Sequence, residues 1–156
     1  MKTGIRSMDV NDIDPVVTVE QQSFAIPWSR AAFETELAEN TLAHYLVAEV
    51  DGAVVGYCGM WIILDEAHLT NVAVLPEYRS QGIGRSLLIT LMEYAKLRGA
   101  TCMTLEVRKS NYSAQRLYRR LGFMPRGLRR QYYTDTAEDA VIMWRDDLCS
   151  EPGPEE

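Results

Sequence analysis

Residues that hold metals or form disulfide frameworks are scarce in this chain. Its 156 residues include two histidines, His44 and His68, far apart in sequence, and three cysteines, Cys58, Cys102 and Cys149. The cysteines are odd in number and lack the spacing of metal ligands, so neither a disulfide scaffold nor a metal site is expected. Both histidines read as ordinary structural residues. Cys58 and Cys102 fall inside apolar strand-like segments and read as buried packing residues of a reducing cytoplasm. No apolar run is longer than a strand, which argues against a membrane span. The opening residues, Met1 to Arg6, lack the apolar core of a signal peptide, so a cytoplasmic location is expected. Positive charge is also short, with 16 Lys and Arg against 22 Asp and Glu and a net charge of −6. That balance argues against direct binding to nucleic acid and is compatible with a basic peptide partner.

What remains is the composition of an ordinary globular domain, 47% apolar and 24% charged. No repeat or linker divides the chain, and a single domain over residues 1–149 is expected. The last residues, Ser150 to Glu156, are acidic and rich in Pro and Gly, and read as a disordered tail. Hydrophobic periodicity and turn residues give the order β-α-α-β-β-β-α-β-α-β-β. A short strand over 4–7 precedes a helix capped by Asp9 or Asn11 and running to about Phe24. Ser29 caps a second helix, through Glu39. Asp51-Gly52 joins two strands as a hairpin. A strand over 67–74 leads to a long helix ending before Gly99, then to a strand over 101–107. A short helix over 111–121 and two final strands follow. The strand–helix–strand unit over 67–107 implies a parallel pair within an otherwise antiparallel sheet. The expected class is therefore a mixed α/β fold of the α+β type.

Between the strand at 69–74 and the long helix lies Arg79-Ser80-Gln81-Gly82-Ile83-Gly84. Gly84, Leu87, Leu88, Leu91 and Ala95 recur at helical spacing and give the helix one apolar face. A glycine-rich turn at a helix N-terminus bares unpaired N–H groups at the positive end of the dipole, which suits a phosphate. Arg79 and Arg85 add a cation on each side. The alternative is a plain strand-to-helix connection that uses glycine for its dihedral freedom. Two other phosphate motifs are excluded: position 87 is Leu where the dinucleotide fingerprint needs its third glycine, and no Gly-Lys-Ser/Thr is present.

Three further residues are conspicuous. Glu106 lies near the C-terminal end of the second parallel strand, where open α/β sheets place ligands, or else pairs as a strand-end carboxylate with Arg108 or Lys109. Tyr118 falls on the apolar face of the short helix, as a core aromatic or as a hydroxyl offered to chemistry. Asn111 precedes that helix and most simply caps it.

Taken together, Asn71-Val72-Ala73-Val74, Arg-x-x-Gly-x-Gly at 79–84, Leu105-Glu106-Val107-Arg108, and Asn111-x-x-Ala114-x-x-Leu117-Tyr118-x-x-x-Gly122-Phe123 form an ordered set. That set resembles the GNAT family of acetyltransferases. Within the family it is most similar to the RimI-like branch, which acetylates the N-terminal alanine of a small-subunit ribosomal protein. The likeness runs from Ile5 to Leu148 and takes in Pro27-Trp28-Ser29 and Arg129-Arg130-x-Tyr132-Tyr133.

The resemblance implies a central pair of parallel strands splayed at their C-terminal ends and flanked by helices, with acetyl-CoA as co-substrate. The pantetheine arm would bond to backbone groups of Val72, Ala73 and Val74, and the pyrophosphate would rest on Arg79, Ser80, Gln81, Gly82, Ile83, Gly84 and Arg85. Asn111 would hold the arm from the other side. It further implies that Glu106 takes the proton from the acceptor α-amine, that the Val74 N–H stabilises the oxyanion, and that Tyr118 protonates the departing thiolate. The implied partner is the N-terminal peptide of a basic small-subunit ribosomal protein. Trp28, Tyr132 and Tyr133 lie in segments that could wall a peptide groove, with core or surface packing as the alternative for each. Two alternatives stand beside this: an acetyltransferase of a small amine or lysine side chain, and a non-catalytic acetyl-CoA-binding module.

Overall fold

The computed structural model describes residues 2–150. Seven strands, β1 (Thr3–Ser7), β2 (Ala43–Val50), β3 (Ala53–Ile63), β4 (Glu66–Val74), β5 (Cys102–Arg108), β6 (Met124–Tyr133) and β7 (Glu138–Arg145), form one sheet in the order β1-β2-β3-β4-β5-β7-β6. Four helices accompany them: α1 (Ile13–Ser23), α2 (Arg30–Glu39), α3 (Ile83–Leu97) and α4 (Tyr112–Arg120). The element order is the one the sequence predicts, with short 3-10 turns added at Val10–Asp12 and Pro76–Tyr78. The tail expected from Ser150 lies, beyond Ser150 itself, outside the described residues. Ser150 is tied down, its carbonyl accepting from Arg145 and its hydroxyl donating to the Asp147 carbonyl.

Local signals explain the boundaries. Of the two candidate caps, Asp9 is used, though on the 3-10 turn that leads into α1 rather than on α1 itself: its carboxylate accepts the Asn11 N–H at 2.7 Å, and Asp12 returns the bond to the Asp9 N–H at 2.9 Å. Ser29 caps α2 by accepting the Ala32 N–H at 3.1 Å. Asp51 and Gly52 both have positive φ, 51° and 87°, as a two-residue hairpin between right-twisted strands requires.

The chain divides into two compact units, one of residues through Trp61 with Thr70–Leu91, the other of Ile62–Leu69 with the residues from Met92 onward. The first has a core of Ile13, Val16 and Val19 from α1, Phe33 from α2, and Tyr45, Val47 and Tyr57 from β2 and β3. Gly59 lets the Tyr45 ring lie flat against β3, since a Cβ there would come within 2.1 Å of it. The second unit is organised by β5. Met103, Leu105 and Val107 are buried on one face, while Thr104 and Glu106 alternate to the other, as a strand's two-residue period dictates. On one edge β5 pairs in parallel with β4, from Glu66 opposite Cys102 to His68 opposite Thr104. On the other it pairs antiparallel with β7, Glu106 standing opposite Ile142. The apolar face expected of α3 is buried, and Leu87, Leu88 and Leu91 are each withdrawn from water almost completely. Each such leucine contributes roughly 1.5–3 kcal/mol.

Candidate functional site

The glycine turn belongs to the first unit. Gly82 has φ of +84° and Ser80 of +61°, so the backbone coils just before α3 begins at Ile83. A Cβ on Gly82 would meet nothing within 4 Å, which leaves the turn open from outside. The first helical bond closes from the Ser86 N–H to the Gly82 carbonyl at 3.0 Å, so the N–H groups preceding it have no partner within the helix. Positive dipole, bare donors and open space together fit a phosphate. The two flanking arginines differ. Arg79 donates Nε to the Val74 carbonyl at 2.9 Å and reaches the Ser23 hydroxyl at 3.4 Å, pinning the end of β4 to α1. Arg85 is exposed on the first turn of α3. Val72, Ala73 and Val74 form the end of β4, where Ala73 is buried and its two neighbours are half-buried.

Glu106, Tyr118 and Asn111 belong to the second unit. Asn111 caps α4, its side-chain oxygen accepting the Ala114 N–H at 3.1 Å. Tyr118 is buried on the inner face of α4, its ring edge-on to Phe123 with centroids 6.0 Å apart. Glu106 is not paired with Arg108 or Lys109. Arg108 turns to Asp135 at 2.8 Å and Glu138 at 3.5 Å and stacks on Tyr133 at 4.1 Å. Glu106 instead meets His68 Nε2 at 2.6 Å through Oε2, and Arg129 at 3.2 Å through Oε1. Burial pushes its pKa up, but the hydrogen bond and charge of His68 and the charge of Arg129 outweigh it and hold the carboxyl below the usual carboxylate range. Arg129 in turn lies over the Tyr132 ring at 4.9 Å, and Tyr132 and Tyr133 pack edge to face at 5.1 Å. Burial raises the Tyr133 hydroxyl to about 12.

His68, which the sequence offers as an ordinary structural residue, sits directly on the Glu106 carboxylate. A signal was available: positions 68 and 106 share a face of two adjacent parallel strands. Cys102 is only half-buried, with its thiol near the Asp65 carbonyl, whereas Cys58 is fully buried. Two acids without a role in the sequence reading, Glu20 and Glu36, are buried in the first unit. Glu20 accepts from the Tyr57 hydroxyl and from the Trp28 backbone N–H. Glu36 accepts from Tyr45 at 2.7 Å, Trp61 at 2.6 Å and Asn40 at 3.0 Å. Their apolar-face spacing, Val16-Val19-Glu20 and Phe33-Glu36-Leu37, marks them as acids drawn inside. Among the described residues no cluster of His, Cys, Asp or Glu suits a metal ion, and no helix is long and apolar enough to cross a membrane.

The profile of the acetyltransferase (GNAT) family matches residues 13–123, and the chain belongs to that family. It is an acyltransferase, of a family that uses acetyl-CoA. It is 49% identical, over 92% of its length and 95% of the other's, to a Bacillus subtilis protein provisionally named a [ribosomal protein bS18]-alanine N-acetyltransferase. To the Escherichia coli K12 protein of that name it is 40% identical, over 89% of this chain and 94% of the relative. The crystal structure of the Escherichia coli ribosomal-protein-S18-alanine N-acetyltransferase superposes with a TM-score of 0.86 at 35% identity, covering 98% of this chain and 99% of the other.

Proposed function

We propose that this protein transfers the acetyl group of acetyl-CoA to the N-terminal α-amine of a small-subunit ribosomal protein, beginning with alanine. The observation that carries the reading is the full-length likeness to relatives named for that reaction, together with a half-buried carboxylate on the strand and position that the family resemblance assigns to the base. Acetyl-CoA supplies the activated acetyl as a thioester. In the first unit, the N–H groups from Ser80 to Arg85 hold the pyrophosphate, and the backbone of Val72, Ala73 and Val74 pairs with the pantetheine arm. Arg79 contributes by fixing the Val74 carbonyl rather than by reaching outward. In the second unit, Asn111 steadies the arm while capping α4.

Glu106 takes the proton from the acceptor amine, which arrives largely protonated because an α-amino group titrates at about 7.7–8.0. Its low pKa keeps it ionised throughout the neutral range, ready to accept. The Tyr118 hydroxyl protonates the leaving thiolate. Mass spectrometry of peptides differing only in the first residue, incubated with acetyl-CoA and the protein, tests the reading. The Ala-initiated peptide is expected to gain one acetyl on its α-amine. Acetylation confined to lysine side chains or small amines would replace this reading with another acetyltransferase. Binding of acetyl-CoA without turnover on any acceptor would make the protein a binding module.

A further inference from the structure

We propose that His68 is a positioning residue for the general base: it grips one oxygen of Glu106, leaving the other to receive the amine proton. The inference rests on the reading of Glu106 as base and adds to it a residue from the neighbouring strand. His68 and Thr104 are opposite each other in the parallel ladder, and Glu106 lies two residues beyond Thr104 on the same face. That register brings the imidazole Nε2 to 2.6 Å from Oε2. An ionised carboxylate only accepts hydrogen bonds, so the Nε2–H donates. A donor on a sheet strand is held by backbone pairing, and this one is backed by burial, since the Glu106 side chain is 12% exposed and that of His68 35%.

The partner on the other oxygen is of a different kind. Arg129 meets Oε1 at 3.2 Å, is 51% exposed, and comes from β6, where the pairing with β7 is irregular between Arg129 and Tyr133. A long, exposed side chain can swing away at little cost, so Oε1 is the oxygen that an incoming ammonium can claim. Oε2 stays fixed by His68 while Oε1 gains the proton. His68 thus keeps the carboxylate from rotating and favours its charged, proton-accepting form. The charged and titratable groups around Glu106 are His68 on β4, and Arg129 and Tyr133 on β6; the facing residue of β7, Ile142, is apolar.

The test is a pH profile of kcat and kcat/KM for the full chain with acetyl-CoA and an Ala-initiated peptide. It compares wild type, His68→Leu, His68→Gln and Glu106→Gln. Removing the donor should lower kcat by about tenfold or more in His68→Leu, as expected when a catalytic group loses its orientation. The KM for acetyl-CoA should hold, and the acid limb should move to higher pH, because Glu106 would keep its proton longer. Gln, which carries an N–H donor at similar reach, should recover most of the kcat. A His68→Leu variant with wild-type kcat and an unmoved acid limb overturns the proposal, as does an equal loss in His68→Gln. If Glu106→Gln is slow while His68→Leu behaves as wild type, only the role of His68 fails. A Glu106→Gln enzyme running at the wild-type rate would remove the base itself and His68 with it.

Discussion

Glu36 and Glu106 are both glutamates drawn away from water, and in both burial raises the pKa while the partners lower it by more. The partners differ. Glu36 is surrounded by neutral donors, Tyr45, Trp61 and Asn40, two of them rooted in the β2 and β3 strands of the first unit. Three donors converge on this one buried carboxylate, so it ties α2 to β2 and β3 as a structural keystone. Glu106 is held by His68 and Arg129, side chains that are themselves partly in water. The exposed Arg129 can swing away, and a carboxylate with one oxygen so released can take up and give back a proton. Burial alone therefore does not distinguish an architectural acid from a working one; the character of its donors does.

The largest effect that would break this contrast belongs to Glu106→Gln, which keeps shape and removes the base. Turnover at pH 7 is expected to fall by about 10²–10⁴-fold, with acetyl-CoA affinity and melting temperature nearly unchanged. Raising the pH toward 9 should restore part of the loss, as more of the amine is then already deprotonated. Steady-state kinetics with calorimetric binding would show it, and a rate equal to wild type would place Glu106 with Glu36 among the architectural acids.

Tyr118→Phe comes next. The ring packing on Phe123 is retained, so stability should hold while turnover drops about 10²-fold if the hydroxyl is the acid. Normal turnover would make Tyr118 a core aromatic only.

Glu36→Ala should reverse the pattern. Removing the acceptor of the buried Tyr45 hydroxyl costs about 1–3 kcal/mol, with a smaller loss at the half-buried Trp61 indole. Denaturant unfolding should record the loss, while turnover of the folded fraction stays near normal. The pH dependence has a definite sign. The folded-state pKa of Glu36 lies below its unfolded value, so its stabilisation is present above the ordinary glutamate range and is lost as pH falls through the folded pKa. Glu36→Gln should be flatter on the acid side than wild type.

Gly82→Val has the smallest expected effect on folding and a selective one on the co-substrate. A Cβ there meets open space, so the strain comes from φ of +84° rather than from a clash. Acetyl-CoA should bind about tenfold more weakly, the loss of roughly one hydrogen bond to a charged group. Isothermal titration giving an unchanged Kd would remove the turn from the binding surface.

How far the sequence carries can be judged from particular residues. Strand and helix order is legible because turn chemistry and apolar spacing agree locally, as at Asp51-Gly52, Ser29 and the stripe from Gly84 to Ala95. The partners of Glu106 are not, since they depend on register. Arg108 and Lys109 are nearest in sequence, yet Arg108 stacks on Tyr133 and bonds Asp135, while the contacts come from β4 and β6. The contact of Arg79, a cation beside the glycine turn, is hidden for a similar reason: a carbonyl at the end of β4 lies within range of its guanidinium. Arg145 was equally hidden. A buried arginine on β7, it donates to the Leu121 carbonyl at 3.2 Å, beside the positive-φ Gly122 that ends α4.

The order of strands in the second unit also has a temporal side. β7 lies between β5 and β6, so the strand bearing Glu106 gains its antiparallel neighbour from the seventh of the described strands, made after β6. β6, made earlier, has β7 as its ladder partner and stays unzipped until β7 arrives. Once β7 is made, it closes quickly on β6 as a hairpin, whereas its pairing with β5, across α4 and β6, closes more slowly because the intervening chain must first surrender its freedom. A growing chain can therefore assemble the core of α1, α2, β2 and β3 well before Glu106 and Arg129 are brought to adjacent positions. In a refolding experiment followed by hydrogen exchange, amides of the β2–β3 and β6–β7 hairpins should gain protection before those on the β7-facing edge of β5.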